Sequence, residues 1–189
     1  MDNLPLAKIN QAATIIKQGG VIVCPTEGVY GLSALASNSQ AIERIIAIKH
    51  RALNKGLIVV AAHQDMLSGL VDFAALNDSA HNLIASKWPG HATFILPAGP
   101  KAPAILTGGR PTLAVRISAF PLLAQLSLAV GAPIVSTSAN LSGSEPLGTI
   151  AELKAAFEHE VDYILDEPCQ GLHKPSTIYD ALSGTVLRP

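Results

Sequence analysis

Apolar residues recur along this chain with two different periods, and their alternation predicts interleaved helices and strands. In the opening stretch, helical spacing predicts an apolar face made of Leu6, Ile9, Ala13 and Ile16. The pair Gly19–Gly20 then predicts the C-terminal cap of this helix, because glycine readily adopts the left-handed conformation found there. The chain therefore opens on an amphipathic helix.

The following segments continue the alternation. Further predicted helices are SNSQAIERIIAIKH, with Asn38 and Ser39 as capping residues, then DSAHNLIASKW, PLLAQLSLAVG and TIAELKAAFEHE. Predicted strands are VIVC, GLIVVAA, ATFILP, LAVRIS, PIVS, YILD, STIYD and GTVLR. This interleaving predicts an α/β fold with helices around a mixed sheet, rather than a bundle or a barrel. Open α/β sheets commonly bind ligands at the carboxyl ends of their strands, where this chain has turn-dense loops.

Composition indicates a compact core and limits the cellular location and the kinds of metal or disulfide site that we expect. The 189 residues are 49% hydrophobic and 14% charged, so we expect a single domain over residues 1–189. No apolar run approaches the roughly 20 residues needed to span a bilayer, and the N-terminus lacks signal-peptide features, so we expect an unprocessed cytoplasmic protein. Cys24 and Cys169 have no CxxC spacing, and the histidines show no HExxH pattern, which disfavours a disulfide framework and a protein-built metal site.

Charge is unevenly distributed along the chain. The net charge is only −1, which disfavours a bulk nucleic-acid binder. Residues 28 to 144, however, carry eight lysines and arginines against four acidic residues, a local net charge of +4. The stretch from 145 to 180 is acidic. This pattern is typical of a local positive cleft that suits a small anionic ligand.

Two ionisable side chains lie in or directly after predicted strands, Glu27 and Arg116. In VIVCPTEGVYGLSA, Glu27 follows a buried strand, where an acid must be solvated, paired or used as a base; an ordinary turn is the alternative. In RPTLAVRIS, strand alternation places Arg116 with Ala114 and Thr112 on the face opposite Val115. An exposed sheet face would explain Arg116 simply, whereas a covered face would require an anion, such as a carboxylate, beside it.

Three further segments concentrate cations and hydroxyls. KHRALNKG places Lys49, Arg51 and Lys55 before a core strand, either as a solvated helix end or as a clamp for a polyphosphate. VSTSANLSG is read as a polar turn or as a ligand-facing wall of hydroxyls, and HKPSTIYD places Lys174 and Ser176 at the mouth of a strand. The P-loop, GxGxxG and GxSxG patterns are missing from the sequence, which disfavours those nucleotide-binding and hydrolase scaffolds.

Five segments in order, PTEGVYGL, KHRALNKGLI, LAVRIS, PIVSTSANLSG and PSTIYD…LRP, resemble the YrdC family over nearly the whole chain, most closely its short bacterial members. The resemblance implies a YrdC-like twisted mixed β-sheet flanked by helices, with a concave, positively charged cleft. It also implies synthesis of threonylcarbamoyl-AMP and pyrophosphate from L-threonine, bicarbonate or CO2, and ATP. This product serves the t6A modification of adenosine 37 in tRNAs that read codons beginning with A.

The family pattern also implies roles for individual residues. Threonine would contact Thr26, Arg116 and Ser136, and Lys49 and Arg51 would be catalytic. The residues implied on the ATP side are Lys49, Arg51, Thr112, Ser138, Asn140, Ser142, Ser176 and Arg188. Glu27 would lie in the same cleft without an assigned role. Carboxylates are scarce in this region, so we expect Mg²⁺ to arrive with ATP and to keep several waters.

The sequence departs from the family pattern at three positions. Relatives often carry a second threonine at Gly28, a proline at Ala52 and, near Val60, a histidine that contacts the amino acid. The chain also ends soon after the core, so we expect it to lack the additional C-terminal domain of longer relatives.

The resemblance implies partners as well as substrates. The threonylcarbamoyl transferase machinery (TsaB, TsaD, TsaE) would take the product, with weak binding of tRNA or other RNA. The competing hypotheses are a double-stranded RNA or tRNA binder without catalysis and a non-catalytic ribosome-maturation factor. The small aromatic content, 4%, disfavours RNA binding by base stacking.

Overall fold

The computed structural model describes residues 4–141 and 143–189. The α-helices in this part of the chain are α1 (Leu6–Lys17), α2 (Ser39–Ile48), α3 (Asp78–Ala85), α4 (Ala104–Thr107), α5 (Pro121–Val130) and α6 (Ile150–Phe157). The strands are β1 (Ile22–Cys24), β2 (Gly31–Leu35), β3 (Ile58–Ala61), β4 (Ala92–Pro97), β5 (Thr112–Ile117), β6 (Ile134–Ser138), β7 (Tyr163–Ile164), β8 (Thr177–Asp180) and β9 (Val186–Arg188). No helix among these residues is long and apolar enough to cross a bilayer.

The nine strands described form one mixed sheet in the order β7-β1-β2-β6-β3-β5-β4-β8-β9. The pairs β1–β7, β3–β5 and β4–β8 are parallel, and the remaining pairs are antiparallel. The predicted α/β class with a mixed sheet flanked by helices is therefore confirmed. The prediction that residues 1–189 form a single domain stays a prediction.

Helix α1 begins and ends close to its predicted bounds, but one predicted core residue is wrong. Ile9, Ala13 and Ile16 are buried, whereas Leu6 is 52% exposed. Leu6 lies in the first turn at the margin of the apolar stripe, and Ala12 contributes to that stripe instead. The predicted glycine cap is present: the amides of Gly19 and Gly20 donate to the carbonyls of Ile16 and Ile15, which closes the last turn.

Three other helices begin at side-chain caps, and in α3 the Asn77 side chain accepts a hydrogen bond from the Ala80 amide. The side chain of Asn38 accepts a hydrogen bond from the Ala41 amide and starts α2, as predicted. Thr149 and Glu152 form a reciprocal capping box at the start of α6. Strand β2 was not predicted, because its sequence GLSAL contains glycine, serine and alanine instead of the β-branched run that marked the other strands.

The two faces of the sheet are covered to different extents, and this difference creates the site. One face packs against α2 in a large core that includes Val59, Val115 and Phe94. On the other face α1 and α5 cover a smaller cluster that includes Val60 and Ile134. Residues paired in register point to the same face, so Arg116, which pairs with Val60, belongs to this second face. Where helix coverage ends on that face, the sheet lines a cleft.

Candidate active site

A cleft of about 420 Å³ opens on the second face of the sheet, within the range usual for small-molecule sites. Its lining comes from the turn after β1, the segment before β3, the middle of the sheet and the segment leading into β8 and β9. Its cationic lining residues are Arg51, Lys55, Arg110, Arg116 and Arg188. Among the described residues that line it, none is an aspartate or a glutamate. This composition suits an anionic ligand.

Strand β5 contributes one row of side chains to the cleft. Thr112, Ala114 and Arg116 line it, whereas Val115 and Ile117 are buried in the core. The alternation predicted from the sequence is therefore confirmed. Thr112 occupies the end of this row nearest Arg110, and Arg116 occupies the other end.

Thr26 and Ser136 both lie next to Gly31. Both are buried, and both line the cleft. A Cβ atom on Gly31 would lie 3.2 Å from Ser136 Oγ and 3.5 Å from Thr26 Cγ2, so a side chain there would crowd both groups. The Thr26 hydroxyl donates a 2.6 Å hydrogen bond to the Val29 carbonyl, which fixes the turn after β1. These two hydroxyl-bearing residues line the same cleft as the buried guanidinium of Arg116.

Arg116 is buried, and its partner is the equally buried Glu27. The distance from Arg116 Nη2 to Glu27 Oε2 is 3.4 Å, with both side chains at most 5% exposed. The other carboxylate oxygen, Oε1, accepts a 2.7 Å hydrogen bond from Ser118 Oγ. Burial lowers the pKa of Arg116, and the charge of Glu27 opposes that shift. An arginine on a covered sheet face requires an anion beside it, and Glu27 is that anion.

A second group of cations lies on the side of the cleft formed by the segment before β3. Arg51 Nη2 donates a 3.0 Å hydrogen bond to the Gly56 carbonyl, and Lys55 follows within the same turn. Burial lowers the pKa of Arg51, with a smaller contribution from the positive charge of Arg110. Arg51 Nε is buried without a hydrogen-bond partner among the described residues. Arg51, Lys55 and Arg110 all line the cleft and could bind a shared polyanion.

Lys49 is placed differently from Arg51, although only His50 separates them in the sequence. Its side chain is buried, and Nζ donates to the carbonyl of Ser138, to the carbonyl of Asn140 at 2.7 Å and to Asn140 Oδ1 at 3.3 Å. Neither Lys49 nor Asn140 is among the residues that line the cleft, whereas Ser138 is. Lys49 therefore holds the end of β6 and the residues after it in place through these hydrogen bonds, from a position outside the cleft lining. Ser142, the next predicted residue of that segment, lies outside the described residues.

Ser176 and Arg188 line the cleft beside β8 and β9. The Ser176 hydroxyl shares a 2.7 Å hydrogen bond with the Thr93 hydroxyl, and Arg188 donates from Nε and Nη2 to the Ser176 carbonyl at 3.2 and 2.7 Å. His91 also lines the cleft, and its Nε2 lies 3.1 Å from the Lys174 carbonyl oxygen. Burial lowers the pKa of His91, followed by the charge of Arg116, which favours the neutral imidazole.

The structure brings most of the predicted site residues together in this cleft. Those that line it are Thr26, Arg51, Thr112, Arg116, Ser136, Ser138, Ser176 and Arg188. The sequence analysis did not single out Arg110 and His91 as site residues. Arg110 follows Gly108 and Gly109 directly, and this glycine pair before a strand was a usable signal of a close backbone turn. His91 has no such signal. The individual roles of all these residues, and the positive potential expected of the cleft, stay predictions.

The fold and the cleft together define an α/β protein whose mixed sheet offers a small-molecule site of cations and hydroxyls. The model of the Sua5/YciO/YrdC family, described as "Telomere recombination", matches residues 14–189. The chain belongs to this family, as its resemblance to YrdC proteins indicated.

Similar proteins are found in bacteria and archaea. The chain is 44% identical over 180 residues to threonylcarbamoyl-AMP synthase of Stenotrophomonas maltophilia, covering 95% of this chain and 97% of that relative. The structure of P. abyssi Sua5 complexed with L-threonine superposes with a TM-score of 0.87 at 30% identity, covering 95% of this chain and 52% of that one. E. coli YciO gives a TM-score of 0.87 at 31% identity, covering 99% and 91%. The chain thus spans about half the length of P. abyssi Sua5 and nearly all of the bacterial relatives named here.

Proposed function

We propose that this chain is a threonylcarbamoyl-AMP synthase, which forms threonylcarbamoyl-AMP and pyrophosphate from L-threonine, bicarbonate or CO2, and ATP. The observation that carries this proposal is the composition of the single cleft described above. Thr26, Arg116 and Ser136 offer one guanidinium and two hydroxyls, while Arg51, Lys55 and Arg110 offer three cations elsewhere in the same space. A bacterial relative at 44% identity bears this activity as its name, and the P. abyssi Sua5 complex contains L-threonine.

The amino-acid end of the site is assigned to Arg116. A guanidinium binds a carboxylate with paired, charge-assisted hydrogen bonds, and Arg116 is held in the cleft wall by its strand and by Glu27. The hydroxyls of Thr26 and Ser136, which line the same cleft, would bind the remaining polar groups of threonine. This arrangement matches the contacts that the family resemblance implied for these three residues.

The nucleotide end is assigned to the remaining cations and hydroxyls. Arg51, Lys55 and Arg110 would neutralise the triphosphate, and Thr112, Ser138, Ser176 and Arg188 would complete that side of the cleft. Lys49 and Asn140 would act from outside the lining by fixing the Ser138 carbonyl and the segment that follows it. Apolar groups in the same lining, such as Leu106 and Leu187, suit the adenosine moiety.

The chemistry requires positioning and charge neutralisation more than a protein nucleophile. Threonine must lose a proton from its amine before the amine captures CO2, and a carbamate oxygen then attacks the α-phosphorus of ATP as pyrophosphate leaves. Holding both reactants in one cleft makes this attack effectively intramolecular. Cations aimed at the phosphates stabilise the charge that develops on the leaving pyrophosphate. Arg51 and its neighbouring cations are therefore the residues we expect to act on this step.

Mg²⁺ fits this site as a companion of ATP. No cluster of three or more potential metal-ligating His, Cys, Asp or Glu side chains occurs in the described part of the chain, and the described lining has no carboxylate. Mg²⁺ commonly keeps several waters and binds substrate phosphates, where it would offset negative charge. Thr112 and Ser138 hydroxyls lie in the cleft and could contact its water shell.

The proposal extends to the pathway that uses the product. Threonylcarbamoyl-AMP would serve t6A formation at adenosine 37 of tRNA, with TsaB, TsaD and TsaE as the accepting machinery and with weak RNA contact. We expect the protein to act in the cytoplasm, where tRNA is modified.

Pyrophosphate release tests the proposed function directly. With ATP and Mg²⁺ present, release should require both L-threonine and bicarbonate, and mass spectrometry should detect threonylcarbamoyl-AMP. Pyrophosphate release that is independent of either co-substrate would overturn the proposal. RNA binding with steep salt dependence and no ATP consumption would instead favour the non-catalytic RNA binder.

A further inference from the structure

Glu27 is the one fully buried carboxylate described next to the cleft, and the proposed chemistry gives it no direct contact with a substrate. Its side chain is 2% exposed, and it is not among the residues that line the cleft. A buried carboxylate is unfavourable unless it is paired and hydrogen-bonded, so its neighbours reveal its role. Those neighbours are Arg116 and Ser118, both on or next to β5.

Ser118 fixes one oxygen of Glu27 with respect to the sheet. The Ser118 amide donates to the Ala61 carbonyl at 3.2 Å, which ties the residue to the end of β3. Its Oγ accepts from the Phe120 amide at 3.1 Å and donates to Glu27 Oε1 at 2.7 Å. The hydroxyl therefore has both a donor and an acceptor partner, and the carboxylate cannot rotate without breaking the bond to Ser118.

The other oxygen of Glu27 faces Arg116 but does not saturate it. Oε2 lies 3.4 Å from Arg116 Nη2, beyond the usual length of a charge-assisted hydrogen bond, and has no hydrogen-bond partner among the described residues. Arg116 Nε likewise lacks a partner among them. Glu27 thus balances the charge of the buried guanidinium while leaving hydrogen-bond donors of Arg116 available to a ligand in the cleft.

We propose that Glu27 and Ser118 are positioning residues that orient Arg116 for the carboxylate of the amino-acid substrate. This inference rests on the proposed function, in which Arg116 binds threonine, and it adds two residues that touch no substrate. Ser118 fixes the carboxylate of Glu27, and Glu27 in turn orients the guanidinium of Arg116. Loss of either positioning residue should weaken threonine binding selectively, because the nucleotide-side cations Arg51 and Arg110 lie in another part of the cleft.

The test compares Glu27→Gln and Ser118→Ala with Glu43→Gln, a control that makes the same chemical change at an exposed position. We expect E27Q to raise the KM for threonine at least tenfold and S118A to raise it about threefold, with the KM for ATP within twofold of wild type. E43Q should change neither. Ser118→Ala keeps both buried charges, so it decides the question if E27Q fails to fold. A role limited to stability would lower the melting temperature without separating the two KM values.

Equilibrium binding of threonine, measured by calorimetry without ATP or bicarbonate, separates this inference from the proposed function. If wild type binds threonine but makes no threonylcarbamoyl-AMP, the proposed function fails and the positioning role is still tested by the affinities of the variants. If wild type is active and both folded variants bind threonine within twofold of wild type, the positioning role is overturned. Wild type that neither binds threonine nor makes threonylcarbamoyl-AMP overturns both.

Discussion

Arg116 shows how a single residue identified from the sequence acquires a physical explanation from the structure. Alternation along β5 predicted that it shares a face with Thr112 and Ala114, and the sequence indicated that a covered face would require an anion. Both expectations are met, since all three line the cleft and Glu27 lies beside the guanidinium. The identity of the anion could not be predicted, because it depends on how the turn after β1 folds toward a strand nearly 90 residues later in the chain.

Substitution of Arg116 and of Arg51 should affect different substrates. Arg116→Ala should raise the KM for threonine roughly 10- to 100-fold, because a charge-assisted hydrogen bond contributes about 1.5–3 kcal/mol. Arg51→Ala should raise the KM for ATP by a similar factor and leave threonine within about threefold. Steady-state kinetics with each substrate varied in turn measures both. Arg44→Ala, which removes a partly exposed arginine that pairs with Asp162 and does not line the cleft, serves as the matched control. Equal losses for both substrates in both variants would contradict this division of the cleft.

The pH dependence of stability tests the buried position of Lys49, which holds the Ser138 and Asn140 carbonyls at the proposed nucleotide end of the cleft. Burial, followed by the positive charge of Arg51, lowers the pKa of Lys49 from 10.5 to about 8. The folded protein therefore binds fewer protons than the unfolded chain between about pH 8 and pH 10.5, so the contribution of Lys49 to stability rises with pH in that window and is constant below it. Relative to Lys49→Met, wild type should gain on the order of 2–3 kcal/mol in free energy of unfolding across the window.

Denaturant unfolding of wild type and K49M from pH 7 to pH 10.5 measures this difference, in which most other titrations cancel. A difference that stays flat or shrinks as the pH rises would contradict a lowered pKa for Lys49.

The sequence placed Lys49 close to Arg51 but could not show that its ammonium points toward the Ser138 and Asn140 carbonyls, because that direction depends on the path of the segment after β6.

At the scale of elements, the predicted helices and strands are largely present, and the exceptions have local causes. Strand β2 escaped prediction because three of its five residues are glycine, serine and alanine, and its place in the sheet comes from pairing with β1 and β6. Leu6 was assigned to the core because its spacing fits the helix period, yet it lies in the first turn, at the margin of the buried stripe. Sequence periodicity thus located most helices and strands, whereas tertiary packing determined which residues at their edges are paired or buried.

The segment that leads into β8 depends on a glycine in the turn after β1. A Cβ atom on Gly28 would lie 1.8 Å from the Lys174 carbonyl oxygen, the same oxygen that lies 3.1 Å from His91 Nε2. The amides of Gln170 and Leu172 also donate to the carbonyls of Thr26 and Glu27. The 170–175 segment therefore runs closer to this turn than a side chain at position 28 would allow.

Gly28→Ala should therefore displace this segment, which ends at Pro175 of the cleft wall, and with it the adjoining Ser176. We expect a loss of about 1–3 kcal/mol in stability, typical of an overpacked contact, together with a higher KM for threonine. Gly148→Ala is the matched control, since a Cβ atom at Gly148 meets nothing within 4 Å. Thermal unfolding and threonine kinetics measure both effects. Equal stability of the two alanine variants would show that the 170–175 segment moves aside without cost.

At the scale of the whole molecule, the site exists because helices cover one sheet face incompletely. Helices α1 and α5 bury Val60 and Ile134, and the same face continues past them as the cleft wall that carries Arg116 and Ser136. The sequence predicted the class of fold, and most of the site residues proposed from it line the cleft, because its motifs fall at strand ends and on alternating strand positions. It could not predict the extent of helix coverage, which is a property of packing across the sheet.

The central claim is that one cleft holds ATP and threonine together. The most direct measurement is a calorimetric titration of threonine into protein saturated with a non-hydrolysable ATP analogue and Mg²⁺, repeated with R116A and R51A. The account predicts that wild type binds both ligands at once, that R116A loses threonine binding while retaining the analogue, and that R51A does the reverse. Mutual exclusion of the two ligands, or binding of both that neither substitution alters, would contradict it.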